Sequence, residues 1–514
     1  MNPPAVSSAA ATRAAPSGAV IIFALLFAAA LAPILWFSHP AMADYSNHLA
    51  RMFVLSRDGG VHEHPYYQVS WLFVPNLAMD LMVPRLGRMI GVETAARLFY
   101  LLSQILIVTG AMALERVVKG RVQIAGLVAV MFLYSLPFAW GFENFEFGVG
   151  CALWGLACAI HLQDRGWLTR LVMHTAIVAL LFAAHMFALG IYGFAVGLHE
   201  LWRARSRRAA LHETAGRLAM LGIPSLAFFA AMIGSAGTVG GTGTDWVLGQ
   251  KIIWPLHILS GYSMPVSAVC VVALVWFIVA LARRGGLKFE QSGAWLLVGF
   301  AAIYLAMPFK LFDTAYVDVR VIIGAALILP AFVSVSFPSQ SWSRVALALV
   351  TTITVVNVGL VAAVWTSYRA DFVASQKSFE LLPKGAIVLV GHSSDGKEPP
   401  PDLWDYPMTN IPTLAVHFAD AFVPSLFTDP GKQPVTPRAP WRRLDVPYGN
   451  IMPAKLLKDI AERGAPEGTP PFIRTWQIDF DYLYLVGPST PNPMPDRLEI
   501  VLTAPRFALY RIRK

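Results

Sequence analysis

The first 366 residues consist mostly of long apolar runs, separated by short stretches that carry arginine and lysine. Each run holds roughly 16 to 22 residues, the length with which an α-helix crosses the hydrocarbon core of a bilayer. The pattern predicts a mainly α-helical, polytopic membrane protein of about eleven transmembrane helices. The predicted spans cover residues 18–37, 94–114, 122–138, 145–162, two spans within 168–202, 218–235, 264–281, 292–308, 321–337 and 345–365.

Basic residues in the short loops set the predicted orientation, because loops rich in lysine and arginine stay in the cytoplasm. Arg13 places the N-terminus inside, and the last span then leaves the C-terminus outside. The apolar run at 168–202 lies between two basic stretches, 165–170 and 203–208, so it has to cross twice. We therefore expect a break near its middle, where His185 would lie at the outer surface.

Residues 62–93 do not fit an ordinary span, because prolines and charged side chains interrupt their apolar residues. Only one crossing fits between Asp44 on the outer side and the basic residues at 116–121 on the inner side. Residues 94–114 supply that crossing. We therefore expect residues 62–93 to form interfacial or re-entrant helices on the outer side.

The composition agrees with a membrane protein and excludes other classes. The 514 residues are 56% hydrophobic and 14% charged, and the net charge of +9 lies in short loops, so nucleic-acid binding is not predicted. The three cysteines fall within apolar runs, which predicts neither disulfides nor a zinc site. Residues 1–17 are expected to be disordered. We interpret the span at 18–37 as an uncleaved anchor.

Residues 367–514 lack long apolar runs and predict a small extracytoplasmic α/β domain. Residues 18–366 then form the transmembrane domain. The predicted strands of the C-terminal domain cover residues 386–391, 481–486, 498–503 and 507–512. Its predicted helices cover residues 411–422 and 454–463.

The stretch directly after the first span carries polar residues at helical spacing. If Asp44 opens a helix, then a carboxylate, an amide, an imidazole and a guanidinium share one face, on Asp44, Asn47, His48 and Arg51. The opposite face carries side chains that suit a membrane surface: Leu49, Met52, Phe53 and Leu55. Such a cluster suits chemistry on a lipid-borne substrate. The alternative is that Asp44 only caps an amphipathic interfacial helix.

Five more polar residues emerge on the same predicted side of the membrane: Glu143, His185, Lys310, Asp318 and Arg320. The predicted topology depends only on the arginines and lysines of the loops. The shared side of these polar residues is therefore an independent observation, and it indicates one site on the outer face. The alternative for Asp318 and Arg320 is that they pair with each other.

These stretches resemble the GT-C class of bacterial membrane glycosyltransferases, which take a sugar from a polyprenyl-phosphate donor on the outer face. The longest matching motif is Asp44-Tyr-Ser-Asn-His48-Leu-Ala-Arg51. The other matching stretches are residues 66–77, 142–145, 184–185, 316–320, 481–487 and 508–511. The resemblance covers nearly the whole chain.

The resemblance implies roles for these residues. Asp44 would act as general base or orient the acceptor, with His48 and Glu143 positioning or tuning it. Lys310 and Arg320 would hold the donor phosphate, because the charge of a polyprenyl phosphate lies at the membrane surface and needs cations at that depth. The remaining candidate substrate-binding residues are Asn47, Arg51, His185 and Asp318.

Metal dependence is where the sequence departs from the commonest family pattern. Many members carry a second acid next to the first-loop aspartate, whereas here Tyr45 follows Asp44. We therefore expect no metal and no other cofactor. Asp44 and Glu143 could still bind a divalent ion if the fold brings them together.

The sequence predicts an inverting glycosyltransferase of the bacterial inner membrane, with a polyprenyl-phosphate-linked sugar as donor and a glycan or lipid-linked acceptor. Membrane lipids are the other expected partners. A first alternative is a non-catalytic assembly or transport component of envelope polysaccharide. Acidic residues are scarce within the predicted spans, which argues against ion-coupled transport. A second is an enzyme that transfers another group, such as an acyl or phospholipid moiety.

Overall fold

The computed structural model describes residues 17–236, 243–312, 314–393, 407–429, 431–446, 449–487 and 491–514. Apart from Ser17, the segment predicted to be disordered lies outside these residues. The helices before the C-terminal region are α1 (Ser17–Trp36), α2 (Tyr45–Ser56), α3 (Ala78–Ile90), α4 (Val92–Lys119), α5 (Ala125–Phe132), α6 (Leu136–Trp140), α7 (Glu143–His161), α8 (Trp167–Ala184), α9 (Met186–Ser206), α10 (Leu211–Ala236), α11 (Gln250–Ile253), α12 (Met264–Ala282), α13 (Gly293–Ala306), α14 (Val317–Ile328) and α15 (Gln340–Ser367).

The C-terminal region, residues 369–514, adds shorter helices and most of the strands. Its helices are α16 (Arg369–Glu380), α17 (Pro407–Asn410), α18 (Ala415–Phe418), α19 (Ala454–Arg463), α20 (Pro471–Arg474) and α21 (Trp476–Asp479). The strands among the described residues are β1 (Tyr67–Val69), β2 (Leu287–Phe289), β3 (Val333–Val335), β4 (Val388–His392), β5 (Val435–Pro437), β6 (Met452–Pro453), β7 (Tyr482–Val486), β8 (Leu498–Ala504) and β9 (Phe507–Ile512).

The mainly helical, multi-pass membrane architecture is confirmed. Among the described residues, six helical segments are long and apolar enough to cross a bilayer: α1, α4, α8, α10, α12 and the continuous segment of α15 with α16. Two shorter apolar segments, α13 and the pair α5–α6, lie where further spans were predicted. The count of about eleven spans therefore stays a prediction.

The break predicted near His185 is present, because α8 ends at Ala184 and α9 begins at Met186. Residues 76–77 donate their backbone N–H groups to carbonyls in the last turn of α8, at 3.4 and 2.7 Å. The Asn76 side chain accepts the N–H of Met186 at 2.9 Å, and Nδ1 of His185 accepts the N–H of Phe187 at 3.1 Å. The two helix ends are thus satisfied although the chain turns between them.

Helices α4 and α7 pack closely, because glycine lines their contact. A Cβ atom added to Gly150 would lie 2.7 Å from Cβ of Leu106, closer than real Cβ atoms approach. Small residues let helix backbones approach in membranes, where the hydrophobic effect does not drive helices together. This contact fixes the start of α7, which carries Glu143.

Residues 62–93 contain one strand, β1, one complete helix, α3, and the first two residues of α4. The apolar side chains of Met82, Met89 and Ile90 on α3 are exposed, as expected for an interfacial helix. The strand was not predicted. It pairs antiparallel with β5, with Tyr67 opposite Pro437, so this segment is joined to the C-terminal region.

The C-terminal region contains a five-stranded mixed sheet with the order β6-β4-β7-β9-β8. Strand β4 is parallel to β6 and β7, whereas β9 is antiparallel to β7 and β8. The predicted helix at 454–463 and strand at 507–512 are confirmed with their bounds. The predicted helix at 411–422 is wrong in its second half, because α18 ends at Phe418 and Phe422 forms a parallel bridge with Ile387.

Helix α2 begins where Asp44 predicted a helix, but its apolar face is not exposed to lipid. The side chains of Leu49, Met52 and Leu55 are fully buried within the protein. They pack in one core with residues of α4 and with residues of the C-terminal region. The prediction that this face lies on a membrane surface is therefore wrong. A buried helix close behind a span shows the same amphipathic pattern as an interfacial one.

Candidate functional site

Asp44 lies in the turn between α1 and α2, with its backbone held by the end of α6. Its N–H donates to the carbonyl of Trp140 at 3.0 Å. Gly141 follows at a φ of 82°, and a Cβ atom there would lie 3.4 Å from Cβ of Asp44. Asp44 occupies the N-cap position of α2, yet its side chain makes no capping hydrogen bond. Capping is therefore not the task of this carboxylate.

The surroundings of Asp44 favour its protonated form. Burial raises the pKa of Asp44 to about 7, against the lowering effect of the guanidinium groups of Arg320 and Arg51. The side-chain amide of Asn410 donates to Oδ1 of Asp44 at 3.4 Å, which is a long hydrogen bond. A carboxyl group that titrates near neutral pH in a half-buried position is suited to accept a proton.

Arg320 is held at the start of α14 by aromatic rings. Its guanidinium carbon lies 4.4 Å from the ring centroid of Phe142, 5.1 Å from that of Phe187 and 5.7 Å from that of Phe145. Nη1 donates to the carbonyl of Ala315 at 3.0 Å, while Nε is buried without a hydrogen-bond partner. None of the described carboxylates forms a salt bridge with this cation, so the site offers positive charge to an anion.

His185 shares two aromatic neighbours with Arg320. Its ring packs edge-on against Phe145, with centroids 5.4 Å apart, and lies 5.7 Å from the ring of Phe187. Because Nδ1 accepts the N–H of Phe187, the ring proton of neutral His185 is on Nε2. The break between α8 and α9 thus places the Nε2–H donor of His185 near the same aromatic rings as the guanidinium of Arg320.

His48 and Glu143 meet one helical turn from Asp44. Nε2 of His48 lies 3.7 Å from Oε2 of Glu143, too far for a hydrogen bond. Burial and the nearby charge of Arg51 hold the pKa of His48 well below its usual range, so the ring is neutral at neutral pH. Both carboxyl oxygens of Glu143 are buried without a hydrogen-bond partner. Such unsatisfied groups mark a place where a bound molecule would supply partners.

Aromatic rings border the site around Tyr316, which has a left-handed backbone with a φ of 59°. Its ring centroid lies 5.0 Å from that of Trp140 and 6.1 Å from that of Phe142. The ring centroid of Trp254 lies 5.4 Å from that of Tyr316. These rings join the turn beside Asp44 to the start of α14, which carries Arg320.

Two predicted substrate-binding residues make hydrogen bonds within the protein. Arg51 forms two hydrogen bonds with Asp80, at 2.9 and 3.0 Å, and both side chains are fully buried. Asn47 donates to Asn410 at 3.0 Å and to the carbonyl of Ser425 at 2.8 Å. These contacts join α2 to α3 and to the C-terminal region. The polar atoms of Asn47 are thus used within the protein, whereas Nη1 of Arg51 is buried without a hydrogen-bond partner.

Asp318 does not pair with Arg320, so that alternative is wrong. Residues two apart on a helix point away from each other, and Oδ2 of Asp318 lies 2.8 Å from Nζ of Lys251. Lys251 also donates to the carbonyls of Tyr304 and Met307. Lys310 is half-buried, and its backbone pairs with that of Asp245.

Sequence reasoning missed Asn410, Asp80 and Lys251. Each acts on a partner far away in the chain, so no spacing or periodicity indicates the contact. For Asp80 alone there was a local signal, a carboxylate among the apolar residues of an amphipathic segment. Asn410 and Lys251 lie in stretches of mixed polarity that resemble ordinary loops.

Metal binding stays open to test. Within the described ranges, no group of three or more histidine, cysteine, aspartate or glutamate side chains is arranged to hold an ion. Asp44 and Glu143 are close enough for the charge of one to affect the other. Two carboxylates are few for a magnesium or calcium site without substrate oxygens, so metal independence stays a prediction.

The fold matches that of a solved membrane protein. The crystal structure of ArnT from Cupriavidus metallidurans bound to undecaprenyl phosphate superposes with a TM-score of 0.52, at 12% identity, over 97% of this chain and 98% of that chain. The apo state of ArnT gives a TM-score of 0.51, at 11% identity, over 96% and 98%. No family model and no curated protein sequence matches the chain. The likeness confirms the predicted GT-C resemblance at the level of the fold.

Proposed function

We propose that the protein is an integral-membrane glycosyltransferase of the bacterial inner membrane. It transfers a sugar from a polyprenyl-phosphate donor to a glycan or lipid-linked acceptor on the outer face. The observation that carries the proposal is the Asp44 carboxyl group, which makes no capping hydrogen bond and lies within electrostatic reach of the Arg320 guanidinium, itself surrounded by three aromatic rings. The undecaprenyl phosphate bound to ArnT supports a polyprenyl-phosphate partner.

The reaction is a single displacement. Ionised Asp44 accepts the proton of the acceptor hydroxyl while the hydroxyl oxygen bonds to the anomeric carbon of the sugar. The bond from that carbon to the phosphate oxygen breaks, and its electron pair leaves with the polyprenyl phosphate. Arg320 and Lys310 stabilise the charge that develops on the phosphate. Attack opposite the leaving group inverts the configuration.

The other side chains position these groups. Neutral His48 and buried Glu143 hydrogen-bond the sugar or the acceptor, which supplies the partners that Glu143 lacks. His185 donates from Nε2 to the sugar or the phosphate. Asn47, Arg51 and Asp318 stabilise the structure around the site, a change from the substrate contacts predicted for them.

The proposal is tested by replacing Asp44 in cells. A deletion strain is complemented with wild type, with Asp44→Asn or with the control Glu63→Gln, which makes the same change of acid to amide at an exposed carboxylate. Loss of a general base lowers the rate by about 10²- to 10⁴-fold. We expect the Asp44→Asn strain to accumulate a lipid-phosphate sugar and to lack one residue on an envelope glycan.

Membrane levels of the three proteins are compared by immunoblotting. Full restoration by Asp44→Asn at equal membrane levels would overturn the assignment of Asp44 as base. Transport of a glycan by the wild type without any new glycosidic bond would favour the non-catalytic alternative.

A further inference from the structure

Helices α8, α9 and α10 carry an excess of positive charge at the end remote from His185. Residues 163–217 contain seven arginines but only three carboxylates. Arg170 precedes His185 by 15 residues along α8, which places it about 22 Å from the candidate active site. The positive-inside rule explains exposed loop arginines, but it does not explain arginines half-buried between helices.

Three arginines surround one buried glutamate, and we call Arg170, Arg203, Arg217 and Glu200 the arginine cluster. Oε1 of Glu200 accepts from Nη2 of Arg170 at 2.7 Å and from Nη1 of Arg203 at 2.9 Å. Nη1 of Arg217 is 3.9 Å from Oε2, and neither atom has a hydrogen-bond partner. One further carboxylate, the exposed Asp164, contacts Arg203. The cluster therefore keeps a net positive charge and an unused donor.

A narrow crevice of about 20 Å³ opens to the surface beside the cluster. Arg170, His174 and Glu200 form its polar end, whereas Met173, Ile177 and other apolar side chains form its wall. The imidazole of His174 is held between the hydroxyl of a tyrosine at 2.8 Å and a backbone carbonyl at 2.9 Å, so the polar end is fixed. Cations at one end and an apolar wall along the helices match the two parts of a phospholipid.

We propose that the arginine cluster binds the phosphate headgroup of an anionic glycerophospholipid, in the leaflet opposite the proposed active site. Guanidinium groups bind phosphate oxygens with two parallel hydrogen bonds, and basic pockets between membrane helices bind lipid headgroups. The acyl chains lie along the apolar wall. Trp167, exposed at the start of α8, marks the interfacial depth that a headgroup occupies.

Lipid retention by the full-length protein tests this site. Wild type, Arg217→Gln and Arg344→Gln are reconstituted in nanodiscs of phosphatidylcholine with phosphatidylglycerol, extracted in detergent and analysed by native mass spectrometry. Arg344 is an exposed arginine in the first two turns of α15, at the end predicted to be cytoplasmic, so it controls for loss of charge. We expect Arg217→Gln to retain about fivefold less phosphatidylglycerol, and Arg344→Gln to retain as much as wild type.

Wild type alone gives a second measurement that does not depend on a variant folding. Added phosphatidylglycerol is expected to raise the Tm of the detergent-solubilised protein, whereas phosphatidylcholine is not. Equal retention by both variants, or equal Tm shifts with both lipids, would overturn the proposal. Displacement of bound phosphatidylglycerol by inorganic phosphate as readily as by excess lipid would show a site for free anions, and the lipid assignment would be wrong.

Discussion

Helix α2 and the turn before it each contribute one residue to a pair of opposite charges, and the two pairs differ in their hydrogen bonds. At the middle of α2, Arg51 and Asp80 make two short hydrogen bonds and are fully buried. At its start, Asp44 and Arg320 influence each other's charge without a salt bridge, and aromatic rings hold Arg320. In the first pair both oxygens of Asp80 accept from Arg51, and of the guanidinium only Nη1 has no partner. In the second pair the two side chains make no hydrogen bond to each other, and Nε of Arg320 has no partner.

The difference shows how burial alone fails to identify a functional charge. The attraction within a buried ion pair of good geometry offsets the cost of removing both charges from water. Removal of one partner therefore lowers the stability of the fold. A buried charge without such a partner keeps a shifted pKa and an unused hydrogen-bonding group, which are the properties that catalysis uses. The contrast predicts that substitutions at the middle of α2 change mainly stability, whereas substitutions at its start change mainly activity.

The largest effect is expected at the hydrogen-bonded pair of Arg51 and Asp80. Asp80→Asn leaves Arg51 as an unpaired buried charge, which destabilises the fold by about 3–5 kcal/mol. The Tm of the purified protein in detergent measures the loss. The double variant Arg51→Met with Asp80→Leu, which removes both charges, should recover much of it. An unchanged Tm for Asp80→Asn together with lost activity would place this pair in the functional site.

The next effect is expected at the unpaired cation. Arg320→Gln removes charge-assisted hydrogen bonds to the donor phosphate, so kcat/KM for a polyprenyl-phosphate sugar should fall by about 10- to 100-fold. Arg320→Lys should recover part of this rate, since it keeps the charge but not the planar donor pair. Arg344→Gln serves as the matched control. A loss of Tm equal to that of Asp80→Asn would instead give Arg320 a structural role.

The pH dependence distinguishes a catalytic from a structural role of Asp44, because ionisation of this one carboxyl group is expected to raise activity and to lower stability. The pKa of Asp44 is raised from 3.8 to about 7, so activity that needs the ionised base should rise as the pH passes 7. A raised pKa in the folded state contributes stability that is complete below the unfolded value and is lost as the pH rises through 7.

Asp44→Asn should therefore lose activity at every pH but gain stability above pH 7. The gain is on the order of 2 kcal/mol, reduced because water reaches the half-buried carboxyl. Tm values at pH 5 and pH 8 measure it, with Glu63→Gln as control. A Tm lower than that of wild type at pH 8 would show that ionised Asp44 stabilises the fold.

The smallest effect is expected at Asn410, which contacts the start of α2 from the C-terminal region. Asn410→Ala removes one donor near Asp44, so the acid limb of the pH–rate profile should move to higher pH and kcat should fall by about 2- to 10-fold. Asn492→Ala, within the same region, is the control. A uniform loss of activity without a shift of the limb would mean that Asn410 acts only on stability.

Local properties of the sequence determined the helices and the position of Asp44. Bilayer thickness sets the length of an apolar run, and the charge of the loops required the break at His185. The place of Asp44 at the start of α2 followed from the spacing of its neighbours. These features depend on each segment and its solvent, so a segment can be interpreted by itself.

Only the tertiary structure decided which charges meet. Arg51 and Asp80 are 29 positions apart, Lys251 and Asp318 are 67 apart, and Asn47 and Asn410 are 363 apart. The periodicity of a helix gives the direction of its faces but not what covers them, so a buried α2 has the same pattern as an interfacial one. The pairing of charged side chains depends on their distance in space. That distance follows from how all the helices pack, so no single stretch of the sequence determines it.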